Sequence, residues 1–113
     1  MKYKIIWTKS AEQDLNQIID YILAKEEFNN AKKIYEKIKV RINLLDNNPE
    51  QGRVVPELKL LKIKKYREII ISPWRVIYKI EKEKVFILLV IDGRRNLEEI
   101  LLDRLIRFNG DGA

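Results

Sequence analysis

The sequence contains neither cysteine nor histidine among its 113 residues. The lack of cysteine excludes disulfide bonds and thiolate metal sites, and it fits a reducing compartment. The lack of histidine removes the commonest general base and the commonest metal ligand. We therefore expect no metal ion and no other cofactor. Any proton transfer would have to use a carboxylate, a tyrosine or a lysine.

Long apolar runs are also missing. No stretch approaches the roughly 20 apolar residues that a membrane-spanning helix needs. The N-terminal segment MKYKIIWTKS is too short and too interrupted for a signal peptide. We expect one cytoplasmic domain over residues 1–113, because a chain of this length forms a single core without covalent cross-links.

The basic excess is concentrated in one part of the chain. Lysine and arginine outnumber aspartate and glutamate by 23 to 17, which gives a net charge of +6. The window from residue 53 to residue 79 holds eight basic and two acidic residues and so carries the whole excess. Its basic residues are Arg53, Lys59, Lys62, Lys64, Lys65, Arg67, Arg75 and Lys79. Such a cluster predicts a polyanionic partner, either nucleic acid or an acidic protein, although a solvated face without a partner fits it too.

Three strands are predicted in the middle of the chain. They are Tyr66–Ile71, Trp74–Ile80 and Val85–Ile91, separated by a Ser-Pro break and by a polar EKEK turn. The second strand alternates, so that Arg75 and Tyr78 point to opposite faces. The third is apolar on both faces, which places it inside the sheet with cover on both sides.

The remaining elements are a strand and three helices. Lys2–Trp7 predicts a strand, and apolar residues at helical spacing then predict two helices, one ending near Lys25 and one ending at residues 47–49. A third helix is predicted to begin after Asn96. Leu58–Lys65 fits either a basic loop or a short strand.

The resulting order is β-α-α-β-β-β-α. Strands that follow one another as hairpins form a mainly antiparallel sheet, here with four strands. The apolar stripes of the first two helices must be buried, and the sheet is the available surface. We therefore predict an α+β domain with the helical hairpin packed on one face of the sheet.

These segments together resemble the RelE/ParE superfamily, the toxins of type II toxin–antitoxin pairs. The likeness is carried by YREII at residues 66–70, WRVIY at residues 74–78 and Gly93-Arg94-Arg95, preceded by AEQDL at residues 11–15 and the loop from Pro49 to Leu58. It extends from Trp7 to about Arg107. It implies the fold described above, inhibition of growth, and neutralisation by a cognate antitoxin protein.

The superfamily has two main activities, and the resemblance assigns different roles to the same residues in each. RelE-like members cut mRNA in the ribosome, and that activity would make Arg75, Arg95, Arg67 and Glu57 the catalytic candidates. ParE-like members cut nothing and poison DNA gyrase, and there the basic residues would contact the target. The candidates for contact with nucleic acid or with the target are Arg53, Lys59, Lys62, Lys64, Lys65, Arg67, Arg75, Arg94 and Arg95.

Three departures from the RelE-like pattern favour gyrase poisoning. Leu101 stands where a reactive tyrosine would fall, Ile69 stands where some nucleases carry lysine, and a long helix follows Arg95. The alternatives are a ribosome-dependent mRNA endonuclease, a non-toxic nucleic-acid-binding module, and an inactive member that only pairs with its antitoxin. Structural roles are open as well, since Arg75 could pair with Glu68 across the hairpin.

Overall fold

The structure is a computed structural model that describes residues 2–25 and 27–111, with the backbone alone for residues 105–111. The described chain contains five strands and four α-helices. They are β1 (Lys4–Trp7), α1 (Lys9–Lys25), α2 (Phe28–Asn43), β2 (Arg53–Val54), α3 (Pro56–Lys59), β3 (Tyr66–Ile71), β4 (Trp74–Glu81), β5 (Lys84–Asp92) and α4 (Leu97–Asp111). Two single turns of 3₁₀ helix, Leu44–Asp46 and Pro49–Gln51, connect α2 to β2.

The sheet has the strand order β1-β5-β4-β3-β2. Only β1 and β5 run parallel, so the mainly antiparallel sheet predicted from the sequence is confirmed. The strand count differs from the predicted four, because Arg53–Val54 forms a fifth strand where a loop was expected. A two-residue strand has no detectable periodicity. It exists because Arg53 and Val54 pair with Glu68 and Arg67 of β3.

The helical hairpin of α1 and α2 packs on one face of the sheet, as predicted. Leu15 of α1 and Ile38 of α2 are buried against Val76, Tyr78 and Ile87 of the sheet. All five belong to one apolar cluster, so the stripes on the two helices are the surfaces that hold them to the sheet.

Helices also cover the opposite face of the sheet, in addition to the predicted hairpin. Leu58 of α3 and Leu101 of α4 are fully buried against Ile77, Leu88 and Leu89. The physical reason is the double-sided apolar character of β5, which requires cover on both faces. The ambiguous segment 58–65 is the end of α3 and the turn after it, not a strand.

A β-bulge interrupts the alternation of β5. Tyr78 pairs with Ile87 and Ile77 pairs with Leu89, so Leu88 is the additional residue. As a result Leu88 and Leu89 both pack on the α4 side, while Val90 returns to the hairpin side.

Side chains complete the hydrogen bonding of β5 where β1 ends. Thr8 donates its hydroxyl proton to the Ile87 carbonyl (2.9 Å) and accepts the Ala11 N–H as the cap of α1 (3.2 Å). Asp14 of α1 accepts the Val90 N–H (3.0 Å). Arg104 of α4 donates to the Leu88 carbonyl (2.9 Å) and to both Asp14 oxygens (2.8 and 2.9 Å). Beyond the end of β1, no strand of the described chain pairs with this edge of β5, and these side chains bind its backbone groups instead. They also connect α1 to α4 across the edge.

No helix in the part of the chain that the structure describes is long and apolar enough to cross a membrane.

Candidate functional site

Arg75 lies near the end of the basic window, on the face of β4 that α3 covers. Its side chain is only 12% exposed because Glu57 and Glu68 enclose the guanidinium group. The Nη1 and Nη2 groups donate to the two oxygens of Glu57 (2.7 and 2.9 Å). The Nε group donates to Oε1 of Glu68 (2.7 Å). Both donor edges of this arginine are therefore occupied by carboxylates.

Glu68 is shared between two arginines. Its side chain has no exposed surface, and its second oxygen accepts a hydrogen bond from Nε of Arg53 (2.6 Å). The register explains the contact, because Arg53 of β2 lies directly opposite Glu68 of β3. Arg53, Glu57, Glu68 and Arg75 form one chain of ion pairs, which we call the Arg75 network. It carries two positive and two negative charges and is neutral overall.

The electrostatics of the Arg75 network favour the charged forms of Glu57 and Arg75. The hydrogen bond from Arg75 holds the pKa of Glu57 below its ordinary value, although partial burial opposes this shift. The same hydrogen bond raises the pKa of Arg75. Glu57 is thus an ionised acceptor that fills the bidentate position a phosphate group would need.

Arg67 lies on the other face of the sheet, away from Arg75. Its cross-strand partner is Tyr78, and its Nη1 donates to the carbonyls of Gly52 (2.8 Å) and Glu50 (3.3 Å). Tyr78 holds the same turn, since its hydroxyl donates to the Pro49 carbonyl (2.6 Å) and accepts the Gly52 N–H (3.1 Å). Arg67 therefore closes the turn that precedes β2.

Burial raises the pKa of Tyr78, which keeps its hydroxyl neutral in this position. A Cβ atom on Gly52 would collide with the Tyr78 hydroxyl and would come within 2.6 Å of the Glu68 carbonyl oxygen. Only glycine allows this close approach, so residue 52 fixes where the turn meets the sheet.

Arg94 and Arg95 follow the end of β5. Arg94 donates from its backbone N–H, from Nε and from Nη2 to the Asp92 carboxylate (2.9, 2.9 and 2.6 Å). These bonds lower the pKa of Asp92 to about 2. The Arg95 side chain is exposed, and no described side chain forms a hydrogen bond with its guanidinium group.

A cavity of about 400 Å³ lies beside these two arginines, between α1 and the ends of β4 and β5. Its walls include Ile18, Tyr21 and Trp74, and Arg95 stands at its border. Gly93 links two residues that line the cavity, Asp92 and Arg94. A Cβ atom on Gly93 would lie 3.3 Å from the Arg75 side chain and 3.2 Å from the Pro73 carbonyl oxygen, so this glycine lets the turn pack against Arg75.

The four lysines between Leu58 and Tyr66 are all exposed. Lys65 lies over the Tyr66 ring, with its ammonium nitrogen 5.2 Å from the ring centroid. None of Lys59, Lys62 and Lys64 forms an ion pair with a carboxylate of the described residues.

The structure thus divides the candidate residues into separate groups. Arg53, Glu57 and Arg75 come together, joined by Glu68. Arg67 lies on the face of the sheet that the helical hairpin covers. Arg94 and Arg95 lie at the end of β5, and the lysines follow α3. No group of three or more carboxylates that could hold a metal ion occurs within residues 2–25 and 27–111.

Two residues had roles that the sequence analysis missed. Asp14 and Arg104 are 90 positions apart, and each is unremarkable on an amphipathic helix. Asp14 interrupts the buried side of α1, and such an acid is only a weak sign of a buried ion pair. It does not identify Arg104 as the partner.

A sequence model of the family described as "ParE toxin of type II toxin-antitoxin system, parDE" matches residues 5–97. The chain belongs to the ParE toxin family. The matched segment contains the Arg75 network and all of the sheet except Lys4, and it ends at the first residue of α4. No curated protein sequence matches the chain.

Solved structures confirm the fold of this ParE-family chain. A structure of the chromosomal ParDE toxin–antitoxin system from P. aeruginosa superposes with a TM-score of 0.68 at 19% identity, covering 80% of this chain and 96% of that one. The RelBE2 toxin–antitoxin complex from Mycobacterium tuberculosis superposes with a TM-score of 0.54 at 20% identity, covering 81% and 99%. The family match makes the chain a toxin of the RelE/ParE superfamily of type II toxin–antitoxin systems, and the two superpositions show that it has the same fold.

Proposed function

We propose that this toxin acts in the cytoplasm by poisoning DNA gyrase and that it is not a ribosome-dependent nuclease. The observation that supports this proposal is the neutralised state of Arg75. The arginine that would bind the scissile phosphate is held by Glu57 on one edge and by Glu68 on the other.

Cleavage of RNA needs a base for the 2′-hydroxyl group and positive charge for the phosphate in the transition state. In the Arg75 network each arginine charge is offset by a carboxylate within hydrogen-bonding distance. An incoming phosphate would meet the repulsion of Glu57 and Glu68 at the position where it needs a cation.

Glu57 is also a poor general base in this arrangement. A base works best when its pKa lies near the working pH, whereas the hydrogen bond from Arg75 moves the pKa of Glu57 in the opposite direction. The role that the RelE-like resemblance suggested for Glu57 therefore has little chemical support here.

The alternative of mRNA cleavage is favoured by one observation, which is the partial exposure of Glu57. Its side chain is 29% exposed and is carried by the short helix α3, so it can leave Arg75 without opening the core. This alternative requires that displacement. A non-toxic nucleic-acid-binding module is less well supported, because Arg53, Arg75 and Arg94 are all paired with carboxylates.

We further propose that a cognate antitoxin neutralises the chain. The two structural relatives are described as a toxin–antitoxin system and a toxin–antitoxin complex. An acidic segment that folds on binding would suit the basic toxin, whose net charge is +6.

Pulse labelling after induction of the chain alone tests the choice of target. DNA synthesis should fall before protein synthesis, and the purified chain should inhibit supercoiling by purified gyrase. An early fall in protein synthesis together with newly cut mRNA would favour the ribosome instead. If neither synthesis falls, the chain is an inactive member of its family.

A further inference from the structure

We propose that the segment from Lys59 to Lys65 is the surface through which the toxin binds its protein target, and that it fits an acidic surface with a recess for two leucine side chains. The inference rests on the proposed function and adds the part of the chain that recognises the target. It excludes the Arg75 network as the main contact.

Exposed leucines are the first observation. Leu60 is 86% exposed and Leu61 is 52% exposed, side by side on the surface after α3. Leu58, two positions earlier, is fully buried, so the segment has an inner anchor and an outer apolar pair. Leucines presented together at the surface and surrounded by charged groups are a common mark of a protein-binding site.

The charge along this segment has one sign. Lys59, Lys62 and Lys64 are exposed, and no acidic residue occurs between Leu58 and Tyr66. None of these three lysines is ion-paired with a described carboxylate. An apolar centre with a basic rim formed by the lysines of this segment matches an acidic partner with an apolar centre.

The segment is held in one conformation before any partner binds. The Ile63 N–H donates to the Leu58 carbonyl and the Lys62 N–H to the Lys59 carbonyl, both at 2.9 Å. Lys62 has φ 63°, so these bonds form a Schellman motif with a lysine at the left-handed position. Because the backbone is already ordered, binding has a smaller ordering cost.

The same features argue against other occupants. Nucleic acid is bound through phosphate contacts from basic groups, and leucines at the centre of the surface would add nothing to them. A membrane surface needs a larger buried apolar area than two exposed leucines in the turn after α3 provide. A folded acidic protein uses both the leucines and the lysines.

The test compares two double variants with matched controls, using purified DNA gyrase as the probe. Leu60→Ser with Leu61→Ser removes the apolar centre, and Leu44→Ser with Leu102→Ser removes two other exposed leucines. Lys59→Glu with Lys64→Glu reverses the rim charge, and Lys33→Glu with Lys37→Glu makes the same change of net charge on α2. Circular dichroism establishes that each variant is folded.

The Leu60/Leu61 variant should bind gyrase about tenfold or more weakly, as expected when anchor side chains are lost. The Lys59/Lys64 variant should bind more slowly and with a weaker dependence on salt, and both controls should bind like the wild type. Unchanged binding of both segment variants overturns the inference and leaves the gyrase proposal standing.

Two other results would also overturn it. If the wild type does not bind gyrase, the proposed function fails, and the partner named here fails with it. If the Leu60/Leu61 variant instead loses affinity for a DNA duplex or for phosphatidylglycerol vesicles while gyrase binding persists, the segment has a different occupant.

Discussion

Arg75 is the residue on which the two candidate activities differ. A nuclease would need its guanidinium group free, whereas here Glu57 and Glu68 fill both of its donor edges. The same contacts make Arg75 part of the folded core, because they fasten α3 to the sheet. Replacement of Arg75 would change stability as well as activity, so loss of toxicity in such a variant does not identify a catalytic role.

Substitution of Glu68 tests whether the Arg75 network is structural. Glu68→Gln removes the only fully buried charge of the network and leaves Arg53 and Arg75 undercompensated. We expect the free energy of unfolding to fall by roughly 3 kcal/mol, as for other buried ion pairs that lose one partner. Urea unfolding followed by circular dichroism measures this. Glu57→Gln is the control, and since Glu57 is partly exposed its effect should be about 1 kcal/mol or less. Equal losses of stability in the two variants would contradict the expectation that Glu68 contributes more than Glu57.

Asp92 predicts an acid-sensitive component of stability. Its pKa is lowered from 3.8 to about 2 in the folded state, chiefly by the hydrogen bond from Arg94. The unfolded state therefore binds the proton first, and the stabilisation is present above pH 3.8 and is lost as the pH falls towards 2.

The variant Asp92→Asn tests this component. Its stability should depend less on pH in that window than the stability of the wild type does, as measured by thermal unfolding at successive pH values. Because the pair is exposed, about 1 M salt should reduce the difference. If the stability of the variant falls with pH in parallel with that of the wild type, the Asp92–Arg94 pair does not contribute to the acid sensitivity.

At the scale of elements, the predictable features are those with a local periodicity. The alternation of β4 and the double-sided β5 follow from their own residues, as do the stripes on α1 and α2. The strand β2 does not, because it depends on pairing with Glu68 and Arg67 across the sheet. The candidate site follows the same rule. The sequence identified Arg75 and Glu57 as important, but their mutual contact depends on the position of α3.

The link between α1, β5 and α4 is a tertiary feature that can be tested with an isosteric pair of variants. Asp14→Asn weakens the acceptor of the Val90 N–H and removes the ion pair with Arg104. We expect a loss of roughly 2 kcal/mol, the scale of hydrogen bonds to a charged group. Faster hydrogen exchange should accompany it in α4. Asp20→Asn lies on the exposed side of the same helix and should change stability by no more than about 0.5 kcal/mol. Equal protection of α4 in the two variants would contradict the proposed link.

At the scale of the whole molecule, the basic excess does not form one groove. Arg53 and Arg75 face α3, Arg67 lies on the hairpin side, and Arg94 and Arg95 stand at the end of β5. Most of these guanidinium groups already hold a carboxylate or a carbonyl of the toxin itself. Among these candidate contact residues, the charge that remains available to a partner is therefore concentrated in the segment from Lys59 to Lys65 and at Arg95.

Arg95 and Arg94 provide a matched comparison for the role of this free charge. Both are exposed and adjacent, and replacement of either by alanine changes the net charge equally. Arg94 is bound to Asp92, whereas no described side chain forms a hydrogen bond with the guanidinium group of Arg95. If free charge at the border of the cavity contacts the target, Arg95→Ala should weaken growth arrest and gyrase inhibition several-fold, mainly through slower association. Arg94→Ala should have a smaller effect, because the guanidinium group of Arg94 is already bound to Asp92 and is not free to contact the target. Growth curves under graded induction and supercoiling assays measure both variants. Equal harm from the two substitutions, or greater harm from Arg94→Ala, would show that pairing within the toxin does not decide which arginine binds the target.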